Sequence, residues 1–325
     1  MYHLFTDKDS FKSSKFQFIG GGQMINGEKN GPATQDFENG CTFVGNYVDD
    51  QIHGKGKFCF PEGSYLEGFF EHNHFRQGLI NLSVGVSINC LMMTDSETNE
   101  DFLKDFNIKF RSSYSVKGVT NEKGNIENAV ILDKKGDVVA RYKLGNLVFK
   151  LPEHQNQYIV VSKLWVYEGG LYNYSSDVSN SIVFDGDGVQ IWYMGIGYYK
   201  GHRVNSVQDK VQMILRHSGS LQFFREIIYN NGRFVNAITV FNSGIIFMSK
   251  DDYFKGTLKF FLPNGSEREL KCNLSEYSIL KSGNLLLEDE DLVVKFSLKN
   301  GRLIFSYKNK DLTLDEFKEH ILMEK

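Results

Sequence analysis

Residues 43–70 read FVGNYVDDQIHGKGKFCFPEGSYLEGFF. An aromatic or branched side chain stands two residues from a glycine again and again: Phe43 and Gly45, Gly45 and Tyr47, Gly56 and Phe58, Leu66 and Gly68, Gly68 and Phe70. A spacing of two puts both members of each pair on one face of a strand. Glycine weakens a strand interior, but its missing Cβ lets a neighbouring ring lie flat on the backbone. The segment therefore reads as a hairpin. Phe43, Gly45 and Tyr47 share a face of the first strand, and Gly56, Phe58 and Phe60 share a face of its return.

Outward from this hairpin the pattern recurs every 23 residues. Gly22, Gly45 and Gly68 are equivalent, as are Met24, Tyr47 and Phe70, Phe43 and Leu66, and Gly40 and Gly63. A period between about 20 and 50 residues marks a repeat architecture. A turn motif follows in each unit: GEKNGPA from Gly27, DQIHGKG from Asp50 and, one residue late, HFRQGLI from His74. It returns as GNIENAV from Gly124, GHRVNSV from Gly201 and GRFVNAI from Gly232. The fifth position of each motif is Gly or Asn, which predicts a left-handed backbone there.

On these residues the chain resembles a MORN repeat, a hairpin unit built on aromatic–glycine pairs. Phe43, Gly45, Tyr47, Gly54, Gly56, Phe58, Phe60 and Gly63 match that pattern, and Asp50 replaces one of its glycines. The resemblance is clear over residues 20–88; divergent copies to about residue 250 keep the turn and lose most aromatic–glycine pairs. It implies an all-β fold, an elongated single-layer array of antiparallel β-hairpins, here closed by a C-terminal α-helix.

Composition agrees. There are 27 Phe, 16 Tyr and 31 Gly against 4 Pro in 325 residues, which favours many short strands over bundled helices. A net charge of −3 gives no general attraction to nucleic acid or anionic membrane. Cys41, Cys59, Cys90 and Cys272 are far apart with no CxxC pair, the usage of an intracellular chain with reduced thiols. QGLINLSVGVSINCLMMT, residues 77–94, holds 18 uncharged residues, enough for a membrane span. Ile80, Leu82, Val84, Val86, Ile88 and Cys90 nevertheless alternate with polar or glycine positions, so it reads as a half-buried strand.

The organisation expected is a lead-in or capping strand over 1–19, a clear array over 20–95 and a short helical insertion over 96–106, capped by Ser96 or Thr98. Divergent hairpins over 107–309 and an amphipathic helix over 310–325 complete it. The last hairpin turns at Asn300-Gly301. In the tail, Thr313 and Glu316 form a capping box, and Leu314, Phe317, Ile321 and Leu322 fall on one face. That face either covers the last hairpin or docks into a partner, which makes Phe317, Ile321 and Leu322 the candidate interaction residues.

No catalytic constellation emerges. His72 and His74 in EHNH are two residues apart, as half of a metal site would be, but no third ligand accompanies them. The acids of LEDED, 287–291, read as a solvated turn, and GIGYYKG near Gly195 leads into a strand rather than a phosphate-binding helix. GxSxG and P-loop motifs are absent, as are the SET-methyltransferase and kinase motifs that accompany some MORN arrays. Catalytic residues, cofactors, metal ligands, nucleic acid and a small-molecule substrate are therefore not expected. The leading expectation is a non-enzymatic scaffold that binds protein partners, itself included, in the cytoplasm and on the cytoskeleton; the resemblance implies cytoskeletal and ciliary relatives. The alternative, implied by junctophilin-like MORN proteins, is phospholipid binding at a membrane surface, for which the net charge gives no support. A third reading is an enzyme or inhibitor with a site in residues 116–305.

Overall fold

The computed structural model describes residues 13–37, 40–97, 101–142, 147–172, 183–192, 197–204, 207–214, 222–230, 233–241, 245–252, 254–274, 282–287, 292–299 and 302–323. Strand makes up 71% and helix 4%, and the strands form antiparallel sheets of consecutive hairpins. The chain divides into two units, one running to Ser206 and the other taking most of the chain from Val207.

The first unit opens with a twelve-stranded sheet. Its strands are β1 (Ser13–Phe18), β2 (Gln23–Ile25), β3 (Glu28–Phe37), β4 (Thr42–Val48), β5 (Gln51–Cys59), β6 (Tyr65–Glu71), β7 (His74–Leu82), β8 (Val86–Thr94), β9 (Asp101–Lys109), β10 (Ser115–Thr120), β11 (Ile126–Leu132) and β12 (Val138–Tyr142). Each strand from β3 to β12 pairs with the next; β1 and β2 both pair with β3. Five further strands, from Leu147–Lys150 to Gly197–Val204, pair in order in the same unit.

Register explains the core. Phe43, Phe58, Leu66, Ile80, Ile88, Ile108, Val116 and Ile131 stand directly opposite one another from β4 to β11, and all are buried. Two residues along the same face, Gly45, Gly56, Gly68 and Gly78 form a second row across four strands. The Phe43 ring fills the space that Gly45 and Gly56 leave. A Cβ on Gly45 would stand 2.4 Å from Phe43 Cζ, and one on Gly56 2.5 Å from the same atom.

The divergent hairpins use the same device more than their sequence suggests. Tyr167 covers Gly169 and Gly188, Phe106 covers Gly118, Phe247 covers Gly256, and Phe296 covers Gly283. Only Tyr167 and Gly169 show the in-strand spacing of two. In the other pairs ring and glycine lie on adjacent strands, far apart in sequence.

The 23-residue period is clearest at the turns. Asn26-Gly27, Asp49-Asp50 and His72-Asn73 are two-residue turns with both residues at positive φ, the geometry that matches strand twist. The second and third of these turns grip the hairpin before them. Asp50 accepts from Lys29 N–H through Oδ1 (2.8 Å) and donates its own N–H to Lys29 O (3.1 Å). Twenty-three residues on, Asn73 makes the same two bonds to Ile52, at 2.8 and 2.9 Å.

Several expectations need correction. Residues 101–109 form β9 rather than a helix, because Phe106 and Ile108 alternate inward beside β8 and β10. Residues 98–100 lie outside the described residues. The uncharged run 77–94 is strand-like, but it is a hairpin, with Gly85 at φ +80° in its turn. The left-handed residue predicted in every turn motif is present at Gly31, Gly54 and Gly78. Asn128 and Asn236 instead sit in ordinary extended strand beside a one-residue bulge, which needs no positive φ; Asn205 lies outside the described residues. The pairing of Leu292–Lys299 with Arg302–Tyr307 is present, while Asn300-Gly301 itself is outside the described residues.

In the second unit the core gathers Phe247, Leu258, Phe260, Leu285, Phe296 and Phe305 under the C-terminal helix. That helix begins after a last strand, Lys310–Thr313, with an α-turn at Leu314–Phe317 that widens into a π-turn at Lys318–Leu322. The capping box is present: Glu316 N–H donates to Thr313 Oγ1 (3.3 Å), and Thr313 N–H to Glu316 Oε2 (2.7 Å).

Two measurements test this frame. Gly56→Ala is expected to cost about 1–3 kcal/mol in urea unfolding through crowding of the Phe43 ring. In a Phe43→Ala background the same substitution should cost well under half as much; equal costs would remove the ring as the reason for the glycine. Asn73→Gly keeps the turn conformation and removes only the side-chain acceptor, so a loss of about 1 kcal/mol is expected, and none if the grip on Ile52 is incidental.

Candidate functional site

Where the next turn grip would fall, the first sheet places a buried polar cluster instead. His74 and Arg76 begin β7, Thr94 ends β8 and Asp101 begins β9. The Asp101 side chain is wholly buried and all its bonds are local: Oδ1 accepts from Thr94 Oγ1 (2.5 Å) and Arg76 Nη1 (3.1 Å), and Oδ2 lies 3.1 Å from His74 Nδ1. Burial alone would raise the Asp101 pKa. The hydrogen bonds from His74 and Thr94, with the charges of His74 and Arg76, outweigh it and hold the carboxyl below its ordinary value. Arg76 also bonds Glu71 at 3.2 Å. The proton of the Thr94 hydroxyl is spent on Asp101, so the cluster fastens three strands rather than activating a nucleophile.

The structure does not bring His72 and His74 together. His74 is buried against Asp101, whereas His72 lies in the turn at φ +47°, with Nδ1 2.6 Å from Gln51 Oε1 and its ring 5.1 Å from that of His53. Among the described residues no three of His, Cys, Asp and Glu converge as metal ligands.

A second polar centre lies among the strands of residues 147–204. Arg203 donates from Nη2 to Gln190 Oε1 (3.1 Å) and stacks 4.0 Å over the Tyr199 ring. Glu168 accepts from Ser112 N–H at 3.3 Å, and burial raises its pKa. Ser83 and Tyr198 hydroxyls meet at 2.8 Å. Burial likewise pushes the Cys90 and Cys272 thiols up to about 12, which leaves them protonated and poor nucleophiles at neutral pH.

Phe317, Ile321 and Leu322, the candidate docking residues, face inward. Phe317 is 0% exposed and stacks on Phe305, centroids 4.4 Å apart and planes 4° apart. Their apolar surface is spent on the unit's own core, as a cover for the last hairpins. The acids 288–291 lie outside the described residues, as do residues 195–196 of GIGYYKG.

Among the described residues the outer face of the first sheet is exposed along one row. Lys55, Phe69, Gln77, Leu91, Asp105 and Val119 stand opposite one another in one row from β5 to β10. Phe69 is 44% exposed and Met93, two residues beyond Leu91, 46%. In the next row Lys57 bonds Glu67 at 3.0 Å and lies 3.9 Å over the Tyr65 ring. Sequence reading missed this row, because its members come from six strands and share no motif.

Asp101→Asn should destabilise the chain by about 3–5 kcal/mol at pH 7, since it takes the buried counter-charge from Arg76 and leaves it only the half-exposed Glu71. The Asp101 contribution exists above the unfolded carboxylate pKa and disappears as pH falls through the lower folded value. Unfolding followed by circular dichroism below about pH 4 should therefore be less pH-dependent in the variant than in the wild type; parallel curves would show that the carboxylate is not held low.

The family model of the MORN repeat matches residues 22–42 and 43–65, which contain the grip of Asp50 on Lys29. Among curated proteins none matches the chain. The MORN repeat is not an enzyme family and is consistent with interaction or membrane binding. With the register, turns and glycine rows described above, residues 22–42 and 43–65 are MORN repeats, continued by further antiparallel hairpins.

Proposed function

We propose that this chain is a non-enzymatic scaffold that binds a protein partner through the outer face of its first sheet. The observation that carries this reading is the division of labour between the two faces. The inner face buries its own aliphatic and aromatic rows, while the outer face exposes Phe69, Leu91, Met93 and Val119 among charges of both signs. An apolar row with interspersed Lys55, Lys57, Glu67 and Asp105 suits a protein surface of mixed charge. Anionic lipid would favour a face of one sign, and the net charge of −3 supplies none. A cytoplasmic, cytoskeleton-associated setting belongs to the same proposal; four widely spaced cysteines without a CxxC pair, Cys41, Cys59, Cys90 and Cys272, support a reducing compartment.

Capture from source-cell lysate on the full chain, compared with Phe69→Ser/Leu91→Ser, tests the reading. Both side chains are surface-exposed, so the fold should survive. At least one protein is expected to be retained by the wild type and depleted tenfold or more by the variant. Identical capture by both would overturn the proposal, as would salt-sensitive flotation with anionic vesicles in place of any protein capture.

A further inference from the structure

We propose that His53 and His72 form a two-imidazole site for a divalent transition-metal ion on the turn edge of the first sheet. The inference is independent of the scaffold reading and rests on three observations.

The first is distance. A metal–nitrogen bond of about 2.0–2.1 Å, extended by about 1.1 Å from nitrogen to ring centre, places each ring centre about 3.2 Å from the metal. Two imidazoles on one tetrahedral ion then have centres about 5.2 Å apart, and on an octahedral ion in adjacent positions about 4.5 Å. The rings of His53 and His72 are 5.1 Å apart with planes at 66°. The pair is already spaced for a shared ion.

The second is the state of the nitrogens. Gln51 Oε1 can only accept, so His72 Nδ1, 2.6 Å away, donates its proton, and the lone pair resides on Nε2. A hydrogen bond on one ring nitrogen that fixes the tautomer and orients the other is the usual support of a ligating histidine. His53 Nδ1 is buried and has no hydrogen-bond partner. One nitrogen of the pair is thus oriented by a neighbour and another is satisfied by neither protein nor solvent.

The third is the repeat frame. Positions 53 and 72 correspond, 23 residues earlier, to Asn30 and Asp49. There Asp49 N–H donates to Asn30 Oδ1 at 3.2 Å. The two positions meet in both repeats, and the grip of Asn73 on Ile52, the residues next to them in sequence, holds the second meeting in place. In the earlier repeat the Asn30 side chain meets the backbone of position 49, and in the later one the imidazole of His53 meets the ring of His72, so the repeat brings the two positions together and the residue types set the chemistry of the contact. Imidazole selects Zn²⁺, Ni²⁺ or Cu²⁺ over Mg²⁺ or Ca²⁺, and water would complete the coordination.

The preceding repeat supplies the test substitutions. His53→Asn restores the residue at position 30, and His72→Asn places at φ +47° a residue type that tolerates the left-handed region, as Asn26 does in the first turn. The chelator-treated full chain and both variants are titrated with Ni²⁺ and with Zn²⁺ by calorimetry, and their thermal unfolding is followed with and without metal. The expected result is equal metal-free stability for all three proteins. One wild-type site should weaken at least tenfold in each variant, and metal should raise the unfolding temperature of the wild type alone. A wild type that binds neither ion overturns the proposal. So does binding that survives in either variant within tenfold, since the ion would then lie on other groups.

Discussion

A ring lying on a glycine is the contact on which the rest of this protein depends. Phe43 can occupy the inner face only because Gly45 and Gly56 have no Cβ, and the nearest atoms of the ring stand where those methyl groups would be. The constraint works in both directions. The ring is buried because the backbone is bare, and the bare backbone is shielded from water because the ring covers it. Tyr167 over Gly169 and Gly188, and Phe247 over Gly256, repeat the arrangement where few other repeat features survive.

Stacking hairpins creates a second problem at their ends, where turns would otherwise be joined to the sheet only by their own strands. Asp50 and Asn73 answer it by bonding the start of the preceding hairpin through both side chain and backbone. After β7 the chain changes method. A fully buried carboxylate, Asp101, reaches His74, Arg76 and Thr94, and a charged cluster takes over from a neutral turn. Such a cluster costs desolvation and returns specificity of position. It lies where the regular 23-residue spacing gives way to β9, the strand that carries the sheet onward.

The two faces of the first sheet have separate fates. On one, the row from Phe43 to Ile131 is consumed by packing; on the other, Phe69 and Leu91 remain in solvent. The C-terminal helix shows the opposite outcome for an amphipathic element. Its capping box was legible as Thr313 and Glu316, but the destination of Phe317 was not, because an apolar helix face has the same sequence whether it covers its own sheet or a partner. The pairing of His72 was likewise beyond reach of local spacing. Its neighbour in sequence, His74, turns inward to Asp101, while His53, nineteen residues earlier, is brought alongside by the hairpin register.

Periodicity of two and of 23 residues was enough to establish hairpins, their repetition and the glycine–aromatic logic of residues 43–70, since each depends on contacts within a strand or between strands joined by a short turn. Tertiary structure alone decided that residues 101–109 continue the sheet, that Phe106 covers Gly118, and that Asp101 closes on His74 and Arg76. Those contacts join residues set by cross-strand register. Register depends on the sum of pairings along whole strands, including one-residue bulges, and a shift of one exchanges the buried face for the exposed one.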